Sequence, residues 1–474
     1  TGWGCMAEYA ALLRNPLNPI RSPIKTATVG FGKAFAGLTD TRSITIDGKS
    51  RDIIDCTSGI SSGNGKVSDN TRNLCKLGER DGNYGSGGFY YTDESEGIAN
   101  SIVDFAASLV QIINTAPSGT ITIPNDPYRA SNQLASAYLP MLDPDIASTA
   151  SIWEGNLKKY NLNQGTLFGK NDSKLYSNLA GDLSATTSDL WQQTSVSNSS
   201  NIDVGGVYAQ LIAPNSGLGS VRTVYVEDYE INMSNGNKKP ILRKLSVDAN
   251  GNPQGFELLV DSVTESSPYN QLNKRRLLSF LGFKDTINAQ GALESLLDFD
   301  GSLPDNAADV NQSMKLDKPA EEIKVLGGVV HSKPTAVSYS ADLDDDGRIS
   351  DTRDDYVLFG SMDGAIHLVD ADDGKEEVAI IPKQMLIDQS KALVKGSLKG
   401  VQGEPYFGVD APWLVTTDYK YDLDNKKVKV DTANNKGMFA YGGLRMGGEA
   451  FYGMDITNKA DPKILFSITA DGRN

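Results

Sequence analysis

Between residues 342 and 375 the chain reads DLDDDGRISDTRDDYVLFGSMDGAIHLVDADDGK, and few folds accommodate such a run. Asp342, Asp344 and Asp346 alternate and Gly347 follows at once, the opening of an EF-hand-type calcium loop. Directly after it come YVLFGS, a Asp-Gly turn, AIHLVD and DADDGK, which spells a β-hairpin closed by polar turns. A metal loop feeding such a hairpin points to a calcium-dependent extracellular β-protein rather than to an enzyme.

The loop can be read position by position. Asp342, Asp344 and Asp346 would supply carboxylates at positions one, three and five, and the Arg348 carbonyl would serve as the seventh-position ligand. Ser350 stands at position nine, where an acidic group is expected, and Arg353 occupies the twelfth place that an EF-hand gives to a bidentate Glu. The closing carboxylate must then come from Asp351, Asp354 or Asp355, and the weak ninth position predicts micromolar or weaker affinity. Three or more carboxylates this close repel one another without a cation. The alternative is a solvated acidic turn.

Other acidic groups read as turn chemistry. Asp370, Asp372 and Asp373 sit in VDADDGK, and Asp422 and Asp424 precede Asn425 and the basic run KKVKVD, a second hairpin. His331 reads as a strand residue with a structural hydrogen bond rather than a ligand, and Trp153, Trp191 and Trp413 as blade or core anchors.

The 474 residues allow two to four domains. No apolar run approaches the ~18 residues of a membrane span. A formal charge of −15, from 45 basic and 60 acidic residues, disfavours sequence-independent binding to nucleic acid or anionic lipid. The opening TGWGCMAEYA has no initiator Met and no basic n-region, so it reads as the interior of a longer protein.

Cys56 and Cys75 bracket a Ser/Gly/Asn-rich loop, and a disulfide between them would stabilise by roughly 3 kcal/mol in an oxidising compartment. The alternative is two buried free thiols. Cys5 is then odd. Zinc is disfavoured, since no CxxC occurs and the two histidines, His331 and His367, are far from the cysteines in sequence.

Residues 1–115 read as α/β. CMAEYAALL is a helix segment ended by Pro16 and Pro19, and KTATVGFG and GGFYYT are strands. Asp93 with Glu96 resembles a capping box that opens a helix. Ile98, Ile102, Phe105, Leu109 and Ile113 form its apolar stripe, the closing half of a doubly wound domain. From about 116 short strands alternate with Gly, Asn and Asp. SVSNSSN at 195–201 reads as a polar loop, NKRRLLSFLGF as a helix or helix–turn, and 298–319 as a flexible acidic linker. GNLKKYN (155–161), GAIHLVD (364–370) and EAFYGMD (449–455) form a weak repeat of strand ends entering polar turns, as propeller blades do. The early copy would suit a propeller closed by an N-terminal strand; chance likeness of short strands is the rival explanation.

Several segments, in order, resemble the PilC/PilY family of type IV pilus tip proteins. VHSKPTAV (330–337), the DxDxDG loop, FGSMDGAIHLVDADDGK and YGGLRMGGEAFYGMDITNKADPKILF (441–466) resemble its C-terminal region. MAEYA, TATVGFG, LCKLGE, GGFYY and IANSIV resemble the end of its von Willebrand A-like domain, and IWEGNLKKYNL and VGGVYAQL its middle. The resemblance implies a multi-domain α/β plus mainly β protein: the C-terminal part of a von Willebrand A-like domain over 1–115, a β-rich connecting region over 116–323, and the first blades of a quinoprotein-like β-propeller over 324–474. It implies an exported protein at the pilus tip or outer membrane, partnered by minor pilins, acting in adhesion to a host cell or other surface and in pilus assembly and retraction, with calcium (Ca2+) bound in the propeller. Three departures stand out. The chain stops one or two blades into the propeller, no DxSxS metal-dependent adhesion motif is present, and Arg80-Asp81-Gly82 is not Arg-Gly-Asp. The rival readings are a calcium-stabilised structural module without receptor contact and a quinone-dependent dehydrogenase. The dehydrogenase would want adjacent cysteines, which this chain lacks.

Overall fold

The computed structural model describes residues 2–15, 18, 24–38, 40–46, 49–59, 66–92, 116–117, 121–143, 153–178, 182–193, 201–260, 267–287, 293–296, 309–310, 314–394 and 406–470. They are mostly β and fall into two compact units, Thr1–Ile113 and Asn114–Asn474.

The first unit is α/β. Helix α1 (Gly2–Arg14) precedes strand β1 (Thr26–Phe31), the hairpin β2 (Thr41–Ile46) and β3 (Lys49–Ile54), helix α2 (Asp69–Gly78) and strand β4 (Ser86–Thr92). β1 and β4 pair in parallel, with Thr28 opposite Phe89 and Gly30 opposite Tyr91, so α2 lies on the crossover between them. Ser68 caps α2 by accepting the Thr71 N–H at 3.1 Å. The helix comes so close to β1 that a Cβ on Gly78 would fall 2.2 Å from the Thr28 hydroxyl, and only glycine fits there. Cys56 and Cys75 are bonded, with Cα atoms 5.5 Å apart, and both are fully buried with Leu38 and Val67 in a small core. Cys5 is exposed and free. Pro16, Pro19 and the expected helix over 93–113 lie outside the described residues.

The second unit begins with β5 (Ala116–Pro117), the hairpin β6 (Asn125–Asp126) and β7 (Arg129–Gln133), then β8 (Ser136–Leu142), β9 (Gly155–Asn163) and β10 (Thr166–Phe168). β10-β9-β8-β5 form one sheet in that order. The short helix α3 (Gly206–Gln210) leads to β11 (Val224–Ile231), β12 (Lys238–Val247) and β13 (Pro253–Gln254). Helix α4 (Gln271–Phe280) and the small strands β14 (Asp285–Ile287), β15 (Leu293–Ser295) and β16 (Lys315–Leu316) follow. Next come β17 (Thr335–Leu343), β18 (Ile349–Gly360), β19 (Ile366–Asp370), β20 (Glu376–Ile381) and helix α5 (Lys383–Asp388). The chain ends with β21 (Leu414–Thr417), β22 (Tyr419–Asp422), β23 (Lys427–Val430), β24 (Met438–Gly443), β25 (Ala450–Asp455) and β26 (Lys463–Thr469).

Nine strands join in the order β13-β12-β11-β20-β19-β18-β17-β23-β22, while β21-β24-β25-β26 make a separate antiparallel sheet. Pairing is antiparallel except where β11 meets β20, with Val224 opposite Ala379. Strands of 224–254 therefore share a sheet with strands of 335–430, and the position 323/324 falls inside one unit. In the stretch 298–319, the described Val310, Met314 and Leu316 are buried and Leu316 pairs with Thr286; these apolar side chains take that part into the core rather than into a linker. The early repeat copy, β9, lies between β8 and β10 and not in either later sheet, and among the described residues no sheet closes on itself. The α4 helix is capped by Asn270, which accepts the Asn273 N–H at 2.8 Å. It buries not only Leu277, Leu278 and Phe280 but also Lys274, Arg275 and Arg276. Arg275 donates to the Leu296 carbonyl at 2.9 Å and Arg276 to the Ser390 hydroxyl at 2.6 Å. No described helix is long and apolar enough to cross a membrane.

Candidate functional site

The acidic run forms the tip of the β17–β18 hairpin. Leu343 pairs with Ile349, the Asp344 N–H donates to the Arg348 carbonyl at 2.8 Å, and Gly347 supplies the left-handed turn conformation at φ +75°. Asp344 caps the turn: its Oδ1 accepts the N–H groups of Asp346 at 3.0 Å and Arg348 at 2.8 Å. The carboxylates around it each meet a cation. Asp346 pairs with Arg348 at 2.9 Å, Asp345 with Lys426, and Asp342 with Lys427 at 3.6 Å. Lys426 and Lys427 come from the second acidic hairpin, because β23 pairs with β17 and sets Lys427 opposite Asp342. The mutual repulsion that would call for a metal is thus answered by lysine and arginine.

The groups expected to complete the loop are dispersed. Ser350 accepts the Thr352 N–H at 3.2 Å, and Asp351 is exposed where the register slips between Leu343/Ile349 and Ala341/Arg353. Asp354 and Asp355 lie farther along β18, opposite Ser340 and Ser338, and as neighbours on a strand they face opposite sides. Asp354 binds Lys459 at 2.8 and 2.9 Å. Asp355 accepts from the Ser338 hydroxyl and pairs with Arg353 at 2.8 Å, and burial pushes its carboxyl up. Arg353 also reaches Asp126 at 2.9 Å and covers the Tyr128 ring. Calcium wants six to eight converging oxygens at about 2.4 Å. Among the described residues no group of three or more His, Cys, Asp or Glu is gathered for a metal, so the donor set as arranged does not fit the ion.

The remaining acidic turns do conformational work. Asp370 accepts the Asp372 N–H at 2.7 Å, and Asp422 accepts the Asn425 N–H at 3.0 Å. Trp191 is buried and donates Nε1–H to the Ala371 carbonyl at 3.0 Å, packing against Gly374, while Trp413 lies under Gly442.

A second constellation lies inside the same hairpin. His367 on β19 is fully buried, opposite Phe359, whose ring stacks on it at 5.0 Å. Its Nδ1–H donates to Glu376 Oε1 at 2.7 Å, and its Nε2–H reaches Ser361 Oγ at 2.8 Å and Asp363 Oδ1 at 3.3 Å. The Ser361 hydroxyl donates to Asp363 at 2.6 Å, and the other Asp363 oxygen accepts the Gly327 N–H at 3.0 Å. Arg222 grips Glu376 through two bonds of 2.7 Å, donates to the Val325 carbonyl at 2.8 Å and lies over Phe280. Two cations, Arg222 and His367, face two anions, Glu376 and Asp363.

Electrostatics fix the protonation. Burial pulls the imidazole down, but Asp363 and Glu376 outweigh it and hold His367 up at about 9. Burial would raise Glu376, yet Arg222 and His367 bring it down to about 2. The serine–histidine–carboxylate order looks like a proton relay. However, the imidazole already holds the proton a base would accept, and Ser361 is 1% exposed with its own proton given to Asp363. The cluster as arranged is a buried clasp between β18, β19, β20 and the segment before β11.

Sequence reasoning placed the hairpin and its turns but missed this clasp. Its legible part was Ser361, Asp363 and His367, six residues apart across an Asp-Gly turn; Arg222 and Glu376 carried no local signal. No family model, curated protein or solved structure matches this chain.

Proposed function

We propose that the chain is an exported protein of type IV pilus tips, of the PilC/PilY kind, acting in surface attachment and in control of pilus assembly and retraction through minor pilins. The observation that carries this reading is the ordered likeness of segments along the chain. The likeness falls on residues with fold-specifying contacts: Ser332 accepts the Gly360 N–H at 2.8 Å, His367 binds Glu376, and Gly442 receives the Trp413 ring. The Cys56–Cys75 disulfide supports an oxidising compartment, and the acidic charge suits solubility outside the cell. The reading divides the second unit into a β-rich connecting region and the opening of a propeller, the latter including the β21–β26 sheet.

Calcium belongs to this reading as a property to be measured, because Asp342, Asp344 and Asp346 are engaged by lysine, backbone and arginine contacts. Calorimetric titration of the full chain beside the Asp344→Ala/Asp346→Ala variant tests it; saturable binding lost in the variant supports calcium, and no heat from the unmodified chain removes it. For the main reading, immobilised minor pilins should bind the purified chain saturably, and a piliated strain lacking its gene should lose piliation or attachment. Failure of both overturns the pilus assignment. The ion-paired turn favours a second reading, an extracellular structural module without receptor contact, which predicts pilin binding without attachment to cells or surfaces.

A further inference from the structure

Three loops meet beside the clasp: the segment before β17, the segment before β21 and the turn after β24. They are tightly clamped. Gln389 accepts the N–H groups of Phe407 at 3.0 Å and Gly408 at 2.9 Å and donates to the Gly447 carbonyl at 3.0 Å. Gly447 abuts the Gly408 carbonyl so closely that a Cβ would fall 1.6 Å from its oxygen. At the centre lies Asp410, which is 2% exposed. Both its oxygens are 2.9 Å from His331 Nδ1, and Oδ2 also accepts from Arg445 Nη1 at 2.6 Å.

A carboxylate only accepts, so His331 carries its proton on Nδ1 toward Asp410, and Nε2 lies on the far side of the ring. The anion is buried while both its partners remain 46% exposed. Arg445 adopts φ +54°, a left-handed conformation costly for a residue with a Cβ. Among the described residues, no protein acceptor is seen for Arg445 Nε or Nη2, nor any partner for His331 Nε2.

We propose that Arg445, held beside His331 on the buried Asp410, forms a binding site for a carboxylate presented by a partner peptide. The guanidinium keeps two donors of its planar fork, the geometry that matches a carboxylate. Asp410 orients both head groups in advance, which lowers the ordering cost of binding. On a chain of net charge −15 the Arg445 guanidinium, with donors left over from Asp410, is a place where an anion is attracted rather than repelled. Met446, 56% exposed beside Arg445, gives apolar contact to the residue that bears the carboxylate. The site stands on geometry alone and is independent of the pilus reading.

The two histidines make the test clean, because His331 is exposed and His367 is fully buried. The full chain labelled at histidine Cε1 is titrated with three probes: N-acetylated dialanine with a free carboxylate, its C-terminal amide, and an amidated glutamate-containing peptide. The expected result is a saturable shift of the His331 signal by one or both carboxylate probes, an unmoved His367 signal, and no response to the dialanine amide. Arg445→Gln should weaken binding about tenfold or more, with the His367 signal in place as proof of folding. The probe that binds tells a chain terminus from an acidic side chain. A shift that does not saturate, an equal response to the amide, or full affinity in Arg445→Gln overturns the proposal.

Discussion

His367 sets the most sensitive residue-scale behaviour of the second unit. Its pKa is raised from the ordinary 6.5 to about 9, so the folded state holds the proton more tightly than the unfolded chain. The stabilisation is therefore fully present below about pH 6.5 and is lost as pH rises through about 9, on the order of a few kcal/mol. Lys158, lowered by burial to about 8, acts in the opposite sense, since its penalty is relieved as pH rises from there. Thermal melts from pH 6 to 10, run beside His367→Gln, separate the two: the variant should be less stable at pH 7 and lose the downward trend. Glu376 holds both Arg222 and His367, so Glu376→Gln leaves a buried guanidinium without its paired anion and the imidazolium with Asp363 alone. A loss of about 3–5 kcal/mol in denaturant titration is expected; a loss under 1 kcal/mol would show that the clasp relaxes into solvent.

Among elements, the β17–β18 hairpin divides its acidic residues by role. Asp344 holds two backbone N–H groups of the turn, whereas Asp345 reaches Lys426 from a side chain that is 92% exposed. Asp344→Ala should cost about 1 kcal/mol and speed hydrogen exchange at Asp346 and Arg348, while Asp345→Ala should be close to neutral. Equal effects of the two would mean that the turn is held by its lysines and not by its cap. The hairpin also shows why a DxDxDG spacing is ambiguous. The spacing brings Asp342, Asp344 and Asp346 to one turn, but strand pairing decides whether Lys426 and Lys427 arrive to neutralise them.

On the scale of the whole molecule, the two units differ in what holds them. The first has a small described core around the disulfide, and the second has an extended apolar core and contains no cysteine. Replacing Cys56 and Cys75 by serine should destabilise the first unit by about 3 kcal/mol. A 114–474 fragment should melt alike with and without reductant, while the full chain gains a reductant-sensitive transition. An effect of reductant on the fragment would contradict this division.

What the sequence determined by itself was local. Strands between Asp-Gly turns, the α4 helix, and the Cys56–Cys75 pair follow from periodicity, turn chemistry and loop closure, interactions that span a few to some twenty residues. Tertiary structure decided which distant charges meet. Lys426 reaches Asp345 because β23 lies beside β17, Arg222 reaches Glu376 because β11 runs parallel to β20, and Arg445 reaches Asp410 because two loops cross at glycines. Local hydrogen bonding leaves a signal in neighbouring residues. The register of a nine-stranded sheet is chosen by the burial of whole faces at once, and no short motif encodes it.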